Sequence, residues 1–471
     1  MWRIQQFHSM HLIRLSLVLA LTLRFAGSAR GEPVFDELSA SEKAAIDLGL
    51  ARASDKIAAS PFATLSSFEV HGPAEDAGVI ETARRLGVKH FVLHNIHGSL
   101  KDPNDARLNA WLDRCDAAKI EVRCILGSSD LDLWRAALRN YGKRIRHFAF
   151  LNEPNHPTEN DHSKPHCTPE QYVKDLRRVK ALRDEIAPGV KLGGPDLAML
   201  MCMEEKPFPW LRLAIEAGLL GVIDEFTFHP YRQGYSPCNV PENPSTFEGL
   251  PGKGYTTYEE QIAVLRQRVG SLPLIVNEVG WSTTPRGPIC EHTQAKFAVR
   301  QQIMDFALGM DCAVFFLLRE RHPDQPLPLW HLENHFGIVH TDNSPKPAYT
   351  ALQALYSQLD SSCHRLAKED VKWATPGVKW FLFEDNSRGV PMLKLFYWLP
   401  VAADDAAKTV PASVKVCGVH IPDVLVSDAP RLLRLHRING RWGWPVMIDF
   451  VGYETDTKVK WETGARILNG P

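Results

Sequence analysis

Between roughly residues 50 and 360, short apolar runs suited to buried strands alternate repeatedly with stretches of helical period. The helix-period segment "VIETARRLG" (Val79 to Gly87) leads into "VKHFVLHN", Leu108 to Ala118 into "IEVRCILG", and Leu131 to Tyr141 into "IRHFAFLNEPN". A helix opened by Thr168, Pro169 and Gln171, read as N-cap, first-turn proline and capping-box partner, carries Val173, Leu176, Val179, Leu182 and Ile186 on one face. Then come "VKLGGPD", a helix around Trp210 to Ala217, "VIDEFTFHPY", a helix from Tyr258 to Val269, "LPLIVNEVGW", a helix from Thr293 to Leu308, and "CAVFFLLRE". With "KIAASPFATL" as the first, eight strands result. Alternation of this kind builds parallel βαβ units. Eight units without a G-x-G-x-x-G or G-x-x-x-x-G-K loop suit an α/β (β/α)8 TIM barrel better than an open doubly wound sheet.

Beyond residue 362 the helical period stops, and "VKWFLFED", "PMLKLFYWLP", "SVKVCGVHI", "VLVSD" and "VMIDFVGYET" read as short strands between turns. The expected organisation is a signal peptide over 1–31, a catalytic barrel over 50–360 and a small C-terminal β-sandwich domain over 362–471. The signal peptide is read from Arg3, His8 and Arg14 ahead of "LSLVLALTL" and the small residues of "FAGSARG", with cleavage near Ala29 or Gly31. That predicts a secreted or periplasmic protein with no membrane contact after cleavage. The 54 basic and 55 acidic residues leave a formal charge of −1, which offers nothing to a nucleic acid. Nine cysteines do not suggest a disulfide scaffold. Cys115, Cys124 and Cys312 read as buried hydrophobes, whereas bridges among Cys167, Cys202, Cys238 and Cys290 stay open.

In a barrel of this type chemistry sits where strands end, so polar residues that terminate apolar runs carry the functional signal. "FAFLNEPN" stops at Glu153, since Pro154 cannot extend a ladder; "LPLIVNEVGW" stops at Glu278. These are the fourth and seventh strands, whose ends face each other across the barrel. Two opposed carboxylates suit glycosidic bond cleavage, one protonating the leaving oxygen and the other attacking the anomeric carbon.

With "NEP" at Asn152 to Pro154, "FHPY" at Phe228 to Tyr231, "NEVGWS" at Asn277 to Ser282 and "FGIVHTDNSPKPAYTAL" at Phe336 to Leu352, the chain resembles the clan A retaining glycoside hydrolases. It looks closest to the families that hold β-xylosidases. The resemblance implies Glu153 as acid/base, Glu278 as nucleophile, Asn152 at the sugar 2-hydroxyl, and Tyr231, with His229 beside it, orienting the nucleophile. It also implies a raised pKa for Glu153, an oligo- or polysaccharide substrate and no cofactor or metal. The usual strand-two arginine is replaced by His94, Asn95 and His97. At the end of strand eight, Leu318, Arg319 and Glu320 stand where many relatives have tryptophan. Trp281 and Trp330 are candidate sugar platforms, though packing explains them as well.

Two other readings compete. One is a non-catalytic carbohydrate-binding protein on a decayed glycosidase barrel. The other is a metal-dependent hydrolase using His156, His162 and His166 with Glu159 and Asp161, although that spacing fits no compact ligand pattern. "HLENH" at His331 to His335 has Leu where a zinc helix places Glu. The segment Gln233 to Thr256 is expected to wall the cleft. The sugar, its linkage, exo or endo action and the oligomeric state are not legible.

Overall fold

The structure is a computed structural model. It describes residues 61–67, 73–94, 96–158, 161–198, 210–232, 240–244, 257–285, 287–321, 331–366, 370–385, 391–402, 409–438, 441–451 and 465–467, all within one compact unit, Leu48–Pro471. The expected signal peptide, Asn95, Trp330, Cys202, Cys238 and most of Gln233 to Thr256 lie outside these residues.

The barrel forms as the alternation requires. Strands β1 (Phe62–Ser67), β2 (His90–His94), β3 (Glu121–Ile125) and β4 (His147–Ala149) are followed by a short hairpin of β5 (Pro157–Thr158) and β6 (Asp161–Pro165). Then come β7 (Lys191–Ala198), β8 (Glu225–His229), β9 (Leu274–Val279) and β10 (Cys312–Phe315). Leaving out the hairpin, eight parallel strands close on themselves through β10 against β1. Helices α1 (Pro73–Leu86), α2 (His97–Lys101), α3 (Ala106–Ala118), α4 (Leu131–Tyr141), α5 (Pro169–Ile186), α6 (Trp210–Glu216), α7 (Tyr258–Val269), α8 (Glu291–Ala307) and α9 (Pro347–Tyr356) lie between and after them. Among the described residues no helix is long and apolar enough to cross a membrane.

Strand alternation splits the barrel's core in two. Large residues such as Phe91, Phe148, Phe226 and Phe228 face the helices. Small ones, Ala63, Val92, Ile125, Ala149, Ile275 and Val314, face the axis, because eight closing strands leave little room there. On β8, "EFTFH", the two phenylalanines point out, and Glu225, Thr227 and His229 point in at successive heights.

Several local expectations are corrected. Thr168 does cap α5 by accepting from the Gln171 amide, but the Gln171 side chain bonds Asp175 at 2.6 Å, so the reciprocal half of the box is missing. The complete box is Thr257 with Glu260 on α7. The eighth strand ends at Phe315, well short of Glu320. The β5–β6 hairpin occupies what reads as a polar loop.

The C-terminal region is a β-sandwich of a six-stranded sheet, β11 (Cys363–Arg365), β13 (Lys379–Asp385), β14 (Met392–Trp398), β17 (Arg431–Ile438), β18 (Arg441–Asp449) and β19 (Ala465–Ile467), with a three-stranded one, β12 (Val371–Trp373), β15 (Val410–Val416) and β16 (Val419–Val426). "SVKVCGVHI" is not one strand but the hairpin between β15 and β16. It turns at Cys417 and Gly418, both in the left-handed region (φ 46° and 88°). On β14, Leu393, Leu395 and Tyr397 face the smaller sheet, while Phe396 and Trp398 face the barrel. That burial on both faces explains an apolar run broken only by Lys394, which is buried and paired with Asp385 at 2.6 Å.

Helix α8 is caught between barrel and sandwich, and every residue from Thr293 to Ala307 is buried. Its polar side chains are therefore paired. Lys296 Nζ meets Asp428 Oδ2 at 2.7 Å, Arg300 donates to the carbonyls of Asp428, Val401 and Leu399, and Asp305 accepts from Tyr258 Oη at 2.9 Å.

Candidate active site

Neither glutamate of the expected pair is placed by regular strand geometry alone. Between β9 and β10, Ala313 pairs with Val276 but Phe315 with Val279, so β9 carries one extra residue at Asn277–Glu278. Such a bulge re-aims a side chain. Glu278, which simple alternation would turn away from Asn277, thereby lines the mouth. On the opposite side the chain leaves β4 through two left-handed residues, Leu151 (φ 54°) and Glu153 (φ 46°). Non-glycine residues hold that conformation only where their surroundings fix it. The fixing contacts run to β7: the Glu153 amide donates to the Asp196 carbonyl at 3.1 Å, and the Asn155 side chain both accepts from and donates to the Ala198 backbone at 2.8 Å. Asp196 is itself an inserted residue, standing between Pro195 and Leu197 where β7 gains one position over β8, with φ 50°.

The two glutamates meet at one imidazole. His229 Nδ1 lies 2.9 Å from Glu153 Oε1 and 3.8 Å from Glu278 Oε2, and its Nε2 lies 3.7 Å from Asp196 Oδ1. Tyr231 Oη donates to Glu278 Oε2 at 3.3 Å, and Asn277 Nδ2 donates to Asp196 Oδ1 at 2.9 Å. One cation therefore faces three carboxylates, and the cluster behaves as a coupled unit. Burial opposes charge on His229, but Glu278, Asp196 and Glu153 outweigh it and hold the imidazole well above its ordinary pKa. Burial pushes Glu278 up to about 7, with Glu153, Asp196 and Glu333 adding to it and His229 opposing. Burial also raises Glu153, yet the hydrogen bond and charge of His229 win and hold it below the usual carboxylate value. The expectation of a raised Glu153 is thus reversed, because the nearer partner of the imidazole keeps the charge.

These groups line a pocket of about 350 Å³. Asn152 is exposed at its rim, and His94, pushed down to about 4 by burial and by the charge of His229, borders it as a neutral ring. His97, expected beside it, instead points its Nε2 at the Leu126 carbonyl, 2.5 Å away. Trp281 borders the pocket but is buried against Phe297, ring centroids 5.4 Å apart. His156 lines the pocket, whereas nothing is described of the His162 side chain.

Sequence reasoning missed the aromatic wall. Phe316, Phe336 and Tyr231 meet edge to face at 5.2 to 6.3 Å. Phe316 takes the mouth position because β10 ends early, and Gly280 allows it: a Cβ there would sit 1.9 Å from the Phe316 carbonyl oxygen. Arg321, after strand eight, brings a guanidinium to the pocket 3.5 Å from Glu333, and Arg232 also lines it. Glu333 belongs to "HLENH", so that segment delivers a carboxylate to the cleft. Its period is that of a single 3-10 turn, Leu332–Asn334, which left no repeat to recognise. Cys167 carries a free thiol, and Cys290 caps α8 by accepting from the Thr293 amide.

No protein-family model matches the chain, and no curated protein matches it in sequence. Solved structures do match. One is a family 39 glycoside hydrolase from the gut symbiont Bacteroides cellulosilyticus WH2, at TM-score 0.58 and 16% identity, covering 79% of this chain and 80% of that one. Another is the GH39 enzyme from Xanthomonas axonopodis pv. citri, at TM-score 0.51 and 16% identity, covering 75% and 76%. The chain therefore has the barrel-and-sandwich fold of these glycoside hydrolases.

Proposed function

We propose that the protein hydrolyses glycosidic bonds with retention of anomeric configuration, Glu153 acting as acid/base and Glu278 as nucleophile. The observation that carries this reading is the shared nitrogen of His229. Contacts of 2.9 and 3.8 Å to one atom keep the nearest Glu153 and Glu278 oxygens within 6.7 Å of each other, the sum of the two. That upper bound admits the spacing of retaining pairs, about 5 to 5.5 Å, and reaches only the short end of that of inverting pairs, about 6.5 to 9.5 Å. The fold shared with family 39 glycoside hydrolases supports the same reaction class, and the pocket's aromatic wall suits the apolar face of a sugar. The segment over 1–31 supports export, and an extracellular oligo- or polysaccharide is the substrate this reading implies.

Attack needs Glu278 ionised and Glu153 protonated, whereas the unliganded cluster favours the opposite. That observation favours the second reading, a barrel that binds sugar without cleaving it. Product release from a panel of 4-nitrophenyl glycosides and polysaccharides, followed by mass spectrometry, separates the two. Turnover by the wild type that disappears in Glu278→Ala and in Glu153→Ala is the expected result; binding without turnover in all three proteins sinks the enzyme.

A further inference from the structure

Asp196 is fully buried, and its role is not covered by the two-carboxylate chemistry. Its Oδ1 accepts from Asn277, but its Oδ2 has no hydrogen-bond partner, and neither does the Nε2 of the equally buried His229 it faces. Native proteins rarely leave such groups idle unless a charge must be held. The inserted residue in β7 aims Asp196 at this nitrogen rather than at the helix layer. His229 is thereby flanked by carboxylates on both ring nitrogens: Glu153 and Glu278 on the Nδ1 side, Asp196 on the Nε2 side. Two further neighbours, His94 and Tyr231, are neutral, while His156, Arg321 and Glu333 line the same pocket. His94 is pushed to about 4, and Tyr231, whose ring lies edge-on 6.4 Å away, is held well above its ordinary pKa by burial and by Glu278.

We propose that Asp196 is a positioning residue that keeps His229 positively charged, and that His229 is the proton store from which Glu153 is loaded. The inference rests on the acid/base reading of Glu153. In the first half-reaction the Nδ1–H bond of His229 breaks and an O–H bond forms on Glu153 along their 2.9 Å hydrogen bond; Glu153 then passes that proton to the departing glycosidic oxygen. His229 is left neutral. In the second half-reaction Glu153 takes a proton from the attacking water and returns it to Nδ1, which restores the imidazolium. The arrangement reconciles an ionised Glu153 at rest with its role as acid, since the pair together holds the one proton that is needed.

Asparagine at position 196 keeps the shape and the acceptor for Asn277 but removes the charge. The full-chain wild type and Asp196→Asn are to be compared in two ways: by 15N-histidine NMR titration of His229, assigned with His229→Asn, and by kcat/KM against pH on whichever 4-nitrophenyl glycoside of the panel is hydrolysed. In the wild type His229 stays protonated through pH 7. In Asp196→Asn its titration, and the alkaline limb of kcat/KM with it, move down by about one pH unit or more. A His229 that is neutral at pH 7 in the wild type overturns the proposal, as does a variant whose rate falls equally at every pH with the limb unmoved. Should Asp196→Asn fail to fold, the wild-type titration decides alone. No turnover of any glycoside by the wild type defeats the glycosidase reading and the proton store with it, while the NMR titration still tests whether Asp196 holds the charge.

Discussion

At each end of the barrel a histidine stands between two glutamates. At the mouth His229 lies between Glu153 and Glu278. At the floor His147 Nδ1 is 2.8 Å from Glu225 and its Nε2 3.1 Å from Glu121. One strand, β8, serves both clusters, with Glu225 four residues before His229, about 13 Å along the strand. The difference lies in balance and space. At the floor Arg123 is bonded to Glu225, His90 lies 3.4 Å from Glu121, and the cavity there is only about 10 Å³. Burial pushes Glu225 up, but Arg123 and His147 prevail and hold it low; bonds from His147 and His90 hold Glu121 low as well. At the mouth a third carboxylate, Asp196, takes the place of the arginine, the pocket is open, and Glu278 is pushed up to about 7. Similar side chains therefore build a plug where an arginine joins the two carboxylates and an open pocket where a third carboxylate does.

Neutralising one charged side chain at each end should give opposite results. Glu278→Gln is expected to lower kcat by at least about 10³-fold, since it removes the group proposed to attack. It is also expected to stabilise the fold. A carboxyl raised to about 7 in the folded state costs stability once the pH exceeds the unfolded glutamate value, in full above pH 7. The gain should be about 1–3 kcal/mol at pH 8 and vanish near pH 4. Thermal melts across that range check this, and a variant destabilised at pH 8 refutes the charge imbalance assigned to the mouth.

Arg123→Met is the counterpart at the floor. Leaving Glu225 without its guanidinium should cost about 3–5 kcal/mol of stability, while the kcat of the folded fraction stays within about twofold of wild type. Urea unfolding and active-site-normalised rates measure the two quantities; a large fall in kcat at full occupancy of the folded state would mean that the two ends are coupled. The floor's own pH response follows from its shifts. Glu121 and Glu225 are held low, so their contribution is present above the unfolded glutamate value and is lost as pH falls through their lower folded values.

The barrel was legible because it follows from patterns of period, and so were the strand ends that carry Glu153 and Glu278, but not the β9 bulge and left-handed residues that aim the two side chains. Helix-to-strand alternation gave the βα units, and a proline or glycine after a terminal acid marked a strand's end. The sandwich was legible in outline, but β17, "RLLRLHRI", was not: its arginines interrupt the apolar count, and its partner strands supply the burial. Asp196, Phe316 and Arg321 were missed for a different reason. Each reaches the mouth through an inserted residue, an early strand end or an irregular loop, and none of these leaves a trace in period. The proton distribution was misjudged because it depends on which carboxylate lies nearer one nitrogen, a difference of less than 1 Å between 2.9 and 3.8 Å.

The smallest expected effect tests how finely the mouth is tuned. Tyr231 Oη donates to Glu278 Oε2 across 3.3 Å, near the outer limit of a useful hydrogen bond, and burial keeps the phenol protonated. The bond favours the ionised carboxylate, so Tyr231→Phe should raise the pKa of Glu278 further and move the acid limb of kcat/KM, set by that group near 7, upward by a few tenths of a unit. The accompanying loss in kcat at the optimum should be about tenfold or less, on the order of 1 kcal/mol. The direction matters more than the size. An acid limb that moved down would mean that the bond is made to the protonated acid and that Glu278 rests as an acceptor of charge rather than its carrier, which would tilt the balance from cleavage towards binding.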